Sequence, residues 1–335
     1  MTDIPATVLE PEAGPQPTAE ERWRALKTVS PGDVVYRTVL TVFALLLPLV
    51  LVTIALELGV NAWPAVSKFG FGFLTHSTWD PVRGEFGALP LIVGTLYSSL
   101  VALVIAVPLA LACAIFLTEF APRWLRAPVA TLIELLAAVP SVIYGLWGIF
   151  VLIPLLRDHF WPVARHALSW LPIFSGVFYG PSVLAGGVIL SIMVLPYIAA
   201  VSREVLLAVP PSQREAGLAL GATRWETVWT VILPYGRAGI IGAVILGLGR
   251  ALGETMAVTM VIGNRHEVSA SLLQPGYTIA AAIANEFSEA VSDMHLSALF
   301  LVGAVLFLIT IVVNAVARVL VWRVARGSAV GSTAI

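Results

Sequence analysis

Between Ala238 and Ile262 the sequence is long and apolar, yet it carries two ionisable side chains, Arg250 and Glu254, four residues apart and each preceded by a glycine, Gly249 and Gly253. A charge at the centre of a membrane helix costs about 2.5–3.5 kcal/mol. A pair at this spacing returns only about 0.2–0.5 kcal/mol in an exposed helix, and Arg before Glu is the weaker order. As one continuous span, the stretch has Arg250 at its midpoint and Glu254 about 6 Å further along. These magnitudes turn both residues away from lipid, toward a water-filled pathway or a partner subunit. The planar fork of Arg250 suits an oxyanion, so the pair can line an anion pathway; the alternative is a buried ion pair that fixes helix register. The Gly249–Gly253 step lets another helix approach on the adjacent face.

A second stretch, Arg214 to Pro234, is too polar to cross a bilayer. It contains Glu215, Ala216 and Gly217, then Gly221, then Val231, Leu233 and Pro234. Gly221 can end one helix and free the chain to turn. Thr223 can cap a second helix starting at Arg224, with Glu226 at its third position. Helix, glycine turn and helix make a compact knob; the alternative is an amphipathic helix lying on the membrane without a partner.

Other chemistry is sparse. The five histidines, His76, His159, His166, His266 and His295, fall in predicted outer loops without metal-ligand spacing, so they read as surface residues and no metal site is expected. The lone Cys113 excludes an intrachain disulfide and reads as packing. The only lysines, Lys27 and Lys68, do not follow a glycine, so no GxxxxGK[ST] phosphate loop exists. The chain therefore reads as a non-enzyme without a cofactor. Glu134, near an end of the third apolar run, reads as structural, and Glu57, near an end of the first, is less informative.

The elements that must position these residues follow from composition. Hydrophobic residues make up 59% and charged residues 12%, against roughly a quarter charged in soluble domains. Runs of about 20 apolar residues, enough to cross the hydrocarbon core, occur near Thr38–Leu58, Leu91–Leu117, Val129–Leu156, Ser182–Ser202, Ala238–Ile262 and Ser297–Val321. The expected fold is all-α, a polytopic membrane protein with six transmembrane helices and both termini on one side. With Arg250 set aside, 13 Lys and Arg residues fall in or next to the loops and tails on the side of the termini and 5 on the other, which makes the termini and the polar stretch cytoplasmic. A net charge of −1 with no basic cluster argues against nucleic acid as a partner.

In chain order, 1–37 is a cytoplasmic tail, too polar and proline-rich to order itself up to about residue 20 and without the pattern of a cleavable signal. Residues 38–90 supply the first span and an outer loop whose Trp63 and Trp79 read as an interfacial belt or, alternatively, as a docking surface. Residues 91–322 form the transmembrane core, with the polar loop at 203–236, and 323–335 form a cytoplasmic tail. Pro48, Pro108, Pro140 and Pro196 are expected to kink their helices, and a short helix is expected around Ile279–Glu289.

The order Glu215-Ala216-Gly217, Gly221, Val231-x-Leu233-Pro234 resembles the EAA loop of ABC-type importer permeases. Gly217 departs from the alanine usual there, which predicts local loosening of about 1 kcal/mol. FLTHSTWDPVRGEFGALPLIVGTLYSSL, AVPSVIYGLWGIFVLIPLL, GRALGETMAVTMVIGN and PGYTIAAAIANEFSEA resemble the phosphate-specific subfamily of PstC type. The likeness runs from about Phe71 to Trp322. It implies a type I importer permease in a bacterial cell (inner) membrane, with the loop docked on a cytoplasmic ATPase and Arg250 and Glu254 implicated in phosphate translocation. It also implies a PstA-type permease, a PstB-type ATPase dimer and a PstS-type external phosphate-binding protein as partners. Two alternatives stay open: the same machine for sulfate or molybdate, and a secondary transporter, which would often show inverted repeats.

Overall fold

A chain segment in lipid must satisfy its backbone internally, so long apolar runs fold as helices. The computed structural model describes residues 31–168 and 170–329, and in it six helices are long and apolar enough to cross a membrane: Gly32–Phe69, Leu89–Phe120, Ser141–Ala167, Val183–Leu207, Arg224–Leu252 and Asp293–Arg323. The disorder expected up to about residue 20 falls outside the described residues.

The chain divides into two compact units, one ending at Leu56 and the other beginning at Glu57. The described part of the first unit is the N-terminal portion of helix α1 (Pro31–Phe69), with Pro48 inside it. The second unit holds everything else. After a single turn, α2 (Gly72–Thr75), a two-stranded antiparallel hairpin pairs β1 (Trp79–Asp80) with β2 (Glu85–Phe86), Trp79 opposite Phe86. Asp80 makes its tight turn by accepting from the Val82 and Arg83 amides. This hairpin is the only sheet among the described residues.

Helix α3 (Leu89–Ile115) carries alanines at four-residue spacing, Ala102, Ala106, Ala110 and Ala114, all fully buried. Small residues let neighbouring backbones approach, and the neighbour is α7 (Val183–Leu207). With 67% of its apolar window buried against 22–33% for the other spans of this unit, α7 is the central helix. Val194, Ile198 and Ala199 of α7 meet Ala106 and Ala110 on one side and Ala243 and Ala251 on the other.

The third and fifth spans are not the continuous helices that hydropathy predicts. The third is cut at Val139–Pro140, where both residues are extended, into α4 (Arg123–Ala138) and α5 (Ser141–Trp147). Proline pushes the preceding residue out of the helical region and removes a donor, so Pro140 breaks the span and does more than kink it, whereas Pro108 and Pro196 lie within unbroken helices. Beyond α5 the chain continues through π-helical turns into α6 (Trp161–Leu168).

After α7, two elements predicted from the polar stretch follow, α8 (Pro211–Ala219) and α9 (Arg224–Thr227). A π-turn at Val228–Ile232 joins α9 directly to α10 (Leu233–Leu252), so the second helix of the knob is the start of the fifth span. The fifth span stops at Leu252; α11 (Met256–Val261) resumes after Gly253-Glu254-Thr255. Helices α12 (Ile279–Glu286) and α13 (Asp293–Ala329) complete the chain.

Candidate functional site

The two interrupted spans meet. Gly145 of α5 sits so close to α11 that an added Cβ would lie 2.5 Å from Met260 Sδ, so the halves beyond the breaks pack backbone to backbone. The break in the third span frees carbonyls at the end of α4, and two tyrosines supply the missing donors. Tyr144 Oη donates to Leu136 O at 2.7 Å, and Tyr197 Oη, from α7, donates to Ala137 O at 3.1 Å.

The break in the fifth span separates the two charges. Arg250 is not at mid-helix; it lies in the last turn of α10, where the helix dipole favours a cation. Glu254, buried at 9% exposure, sits at the head of α11, and its Oε1 accepts from the Ala257 amide at 3.4 Å. Each charge is thus met by its own helix end, an interaction of about 0.3–1 kcal/mol at a surface and up to about 2 kcal/mol when partly buried. The expected alternative, an Arg250–Glu254 ion pair, is absent: no carboxylate of the described residues lies within 4 Å of the guanidinium. Arg250 instead lies over the Tyr197 ring, with Cζ 4.7 Å from the centroid, and its buried Nε has no hydrogen-bond partner. An added Cβ on Gly249 would meet nothing, and on Gly253 only the Gly249 carbonyl, so among the described residues no second helix uses that step.

In the polar stretch the knob has the local structure its residues predict. Gly221 turns the chain at φ +86°. Thr223 caps α9, its Oγ1 accepting from the Glu226 amide while Glu226 Oε2 accepts from the Thr223 amide at 2.7 Å. Gly217 corrects the expectation of loosening. It is buried against α9 and the π-turn, where a Cβ would come within 3.1 Å of Thr227 Cγ2 and 3.4 Å of Val231 Cγ2, so it is a point of close approach. Of the other predicted residues, Val231 and Leu233 are half-buried, while Glu215, Ala216 and Pro234 face outward beside the exposed Leu220, Trp225 and Trp229.

Sequence reasoning missed Arg214. Its Nη1 and Nη2 donate to Val209 O and Leu206 O, both at 2.6 Å, and Nε pairs with Glu119 Oε1 at 3.2 Å. It ties α8 to the end of α7 and to the π-turn ending the second span. Nothing local signals this, because all three partners are set by tertiary placement.

The surface reading holds for His76, His159 and His166, all exposed, but not for His266 and His295. These two converge on Glu286, His266 Nε2 at 3.2 Å from Oε1 and His295 Nε2 at 3.1 Å from Oε2, and Trp79 Nε1 donates to Oε2 at 2.7 Å. The Trp79 ring stacks on His266 with centroids 5.4 Å apart, which gives Trp79 a place in this network. Burial works against the Glu286 charge, but the contacts from His266, Trp79 and His295 outweigh it and hold the carboxyl below its usual range. The cluster joins the hairpin, the loop after α11, α12 and the start of α13, beside a cavity of about 670 Å³.

Residues 106–326 match the family described as binding-protein-dependent transport system inner membrane component. The chain is 47% identical over 296 residues to the phosphate transport system permease protein PstC of Pasteurella multocida (strain Pm70), covering 87% of this chain and 92% of that protein. Against the protein of the same description from Xylella fastidiosa (strain 9a5c), identity is 46% over 299 residues, with 88% and 92% covered. Among solved structures, a bacterial ABC transporter involved in the import of the acidic polysaccharide alginate is similar in fold, with TM-score 0.55 at 18% identity over 88% of this chain and 98% of that one.

Proposed function

Because the chain belongs to the family of binding-protein-dependent transport system inner membrane components, we propose that it is the membrane-spanning permease of an ATP-driven phosphate importer. Its relatives' description as phosphate transport permeases supports that substrate over sulfate or molybdate. Energy then comes from a partner, since the sequence has no GxxxxGK[ST] loop. The proposed assembly pairs this chain with a PstA-type permease, a PstB-type ATPase dimer under the knob and a PstS-type binding protein outside. Both termini lie in the cytoplasm, as the 13 to 5 distribution of Lys and Arg favours.

One observation carries the pathway reading: a guanidinium inside a membrane span, next to two helix breaks, with no carboxylate partner among the described residues. A charge left unpaired at such a depth is expensive unless it serves an anion, and the arginine fork fits a phosphate oxyanion in two-pronged fashion. Broken helices at a substrate site are a recurring device of transporters, because helix ends present polar groups where a continuous helix cannot. In this mechanism Arg250 contacts the anion during passage. Glu254, held at the head of α11, keeps the local charge balanced without blocking the fork. The coupling residues Glu215, Ala216, Gly217, Gly221, Val231, Leu233 and Pro234 divide the work: the exposed ones meet the ATPase and the buried ones hold the knob's shape. Uptake of labelled phosphate, sulfate and molybdate by vesicles containing the whole complex tests the proposal; phosphate enters in preference, and equal or greater entry of either rival overturns the substrate.

A further inference from the structure

We infer that Tyr197 is a positioning residue for Arg250, holding the guanidinium by its face so that its N–H edges stay free for the anion. The inference rests on the pathway reading above and adds a residue that neither spacing nor charge singles out.

Three observations support it. First, the contact is to the ring face, with Arg250 Cζ 4.7 Å from the centroid. A π face attracts a cation without using any of its five N–H donors, whereas a carboxylate partner would occupy the same fork that an oxyanion needs. Second, the seat is rigid. Tyr197 lies between the buried Pro196 and Ile198 on the central helix α7, and its hydroxyl is fixed by donation to Ala137 O at 3.1 Å. Third, beyond the dipole of its own helix end, no hydrogen bond or ion pair among the described residues holds the guanidinium: its buried Nε lacks a hydrogen-bond partner, and no carboxylate is within ion-pair distance.

The same hydroxyl joins the seat to the broken third span. Ala137 is the penultimate residue of α4, two before the Val139–Pro140 interruption. The ring that orients Arg250 is therefore anchored on one side to the central helix and on the other to the loose end of a helix that begins at Arg123, on the cytoplasmic side. The ring acts on the guanidinium; the hydroxyl acts on the ring.

The test is phosphate uptake by vesicles carrying the full complex, with KM and Vmax measured for Tyr197→Phe, Tyr197→Leu, Tyr197→Trp and Arg250→Gln, and the amount of assembled complex measured alongside. Tyr197→Phe and Tyr197→Trp keep a π face, and KM stays within about twofold of the parent; Tyr197→Leu removes it, and KM rises about tenfold with assembly unchanged. A parental KM in Tyr197→Leu overturns the inference. So does a rise in Tyr197→Phe equal to that in Tyr197→Leu, since the effect would then sit in the hydroxyl contact to α4. Should Tyr197→Leu fail to assemble, the aromatic variants decide: parental KM in both supports the inference, and a raised KM in both overturns it. Arg250→Gln separates the two claims. If it retains uptake, the pathway reading itself fails; if it is inactive while Tyr197→Leu is normal, only the role of Tyr197 falls.

Discussion

Replacing Arg214 by alanine should loosen the knob from the membrane helices while leaving the spans inserted. The side chain is 23% exposed and makes two 2.6 Å bonds to the Leu206 and Val209 carbonyls, along with the 3.2 Å pair to Glu119, itself 15% exposed. A hydrogen bond from a charged donor contributes about 1.5–3 kcal/mol when buried. Water can reach part of this site and replace some of that loss, and the exposed fraction of the ion pair adds little. The net cost is on the order of 2–4 kcal/mol, charged to a local opening and not to global unfolding. That is a factor of about 30 to 1,000 in the opening equilibrium. Amide hydrogen exchange of α8 (Pro211–Ala219) in the reconstituted complex reads this directly. Arg214→Lys, whose single ammonium cannot span all three acceptors, should fall between parent and alanine. Unchanged exchange in Arg214→Ala, or equal damage from lysine and alanine, would refute the reasoning.

Three further outcomes are expected. Gly221→Pro cannot adopt φ +86° and loses the amide that donates to Leu218 O; the spans should insert normally while co-purification with the ATPase and uptake fall together, and normal co-purification contradicts the docking role. Glu286 is held below its usual range, so its network contributes stability that is full above the ordinary carboxyl value and is lost as pH falls through the lower folded one; protection of the loop after α11 should drop on acidification below about pH 4, and Glu286→Gln should remove that acid-limb loss. A cysteine at Thr223 in a Cys113→Ala background should react with an impermeant reagent from the cytoplasmic side, and labelling from outside overturns the orientation.

Six spans and a helix–turn–helix loop were legible because each rests on local signals: apolar length, the left-handed glycine at 221, and the Thr223–Glu226 capping box. The interruptions were not, although their residues were in view. Val139-Pro140-Ser141 reads as a kink when the flanking hydropathy is high, and Gly253-Glu254-Thr255 is too short to interrupt an apolar window. Once the fifth helix is broken, the Arg-before-Glu order that looks unfavourable in a continuous helix becomes favourable, because each charge sits at the helix end that suits it. Tyr197, Arg214 and the His266–Glu286–His295 cluster act through residues distant in sequence; Trp79 and Glu286 are 207 apart. A single chain offers no periodicity that brings such residues together.

The central claim is that Arg250 serves a passing anion and is not one half of a structural ion pair. Removing both charges together tests it most directly. Had they paired, Arg250→Gln with Glu254→Gln would restore much of what either single change removes, since no unpaired buried charge remains. The structure keeps the two charges apart, at separate helix ends. The double variant should therefore assemble with its partners in normal amount and remain inactive in phosphate uptake, with Arg250→Lys impaired and Arg250→Gln impaired further. Recovery of uptake in the double variant would contradict the account and send the anion elsewhere.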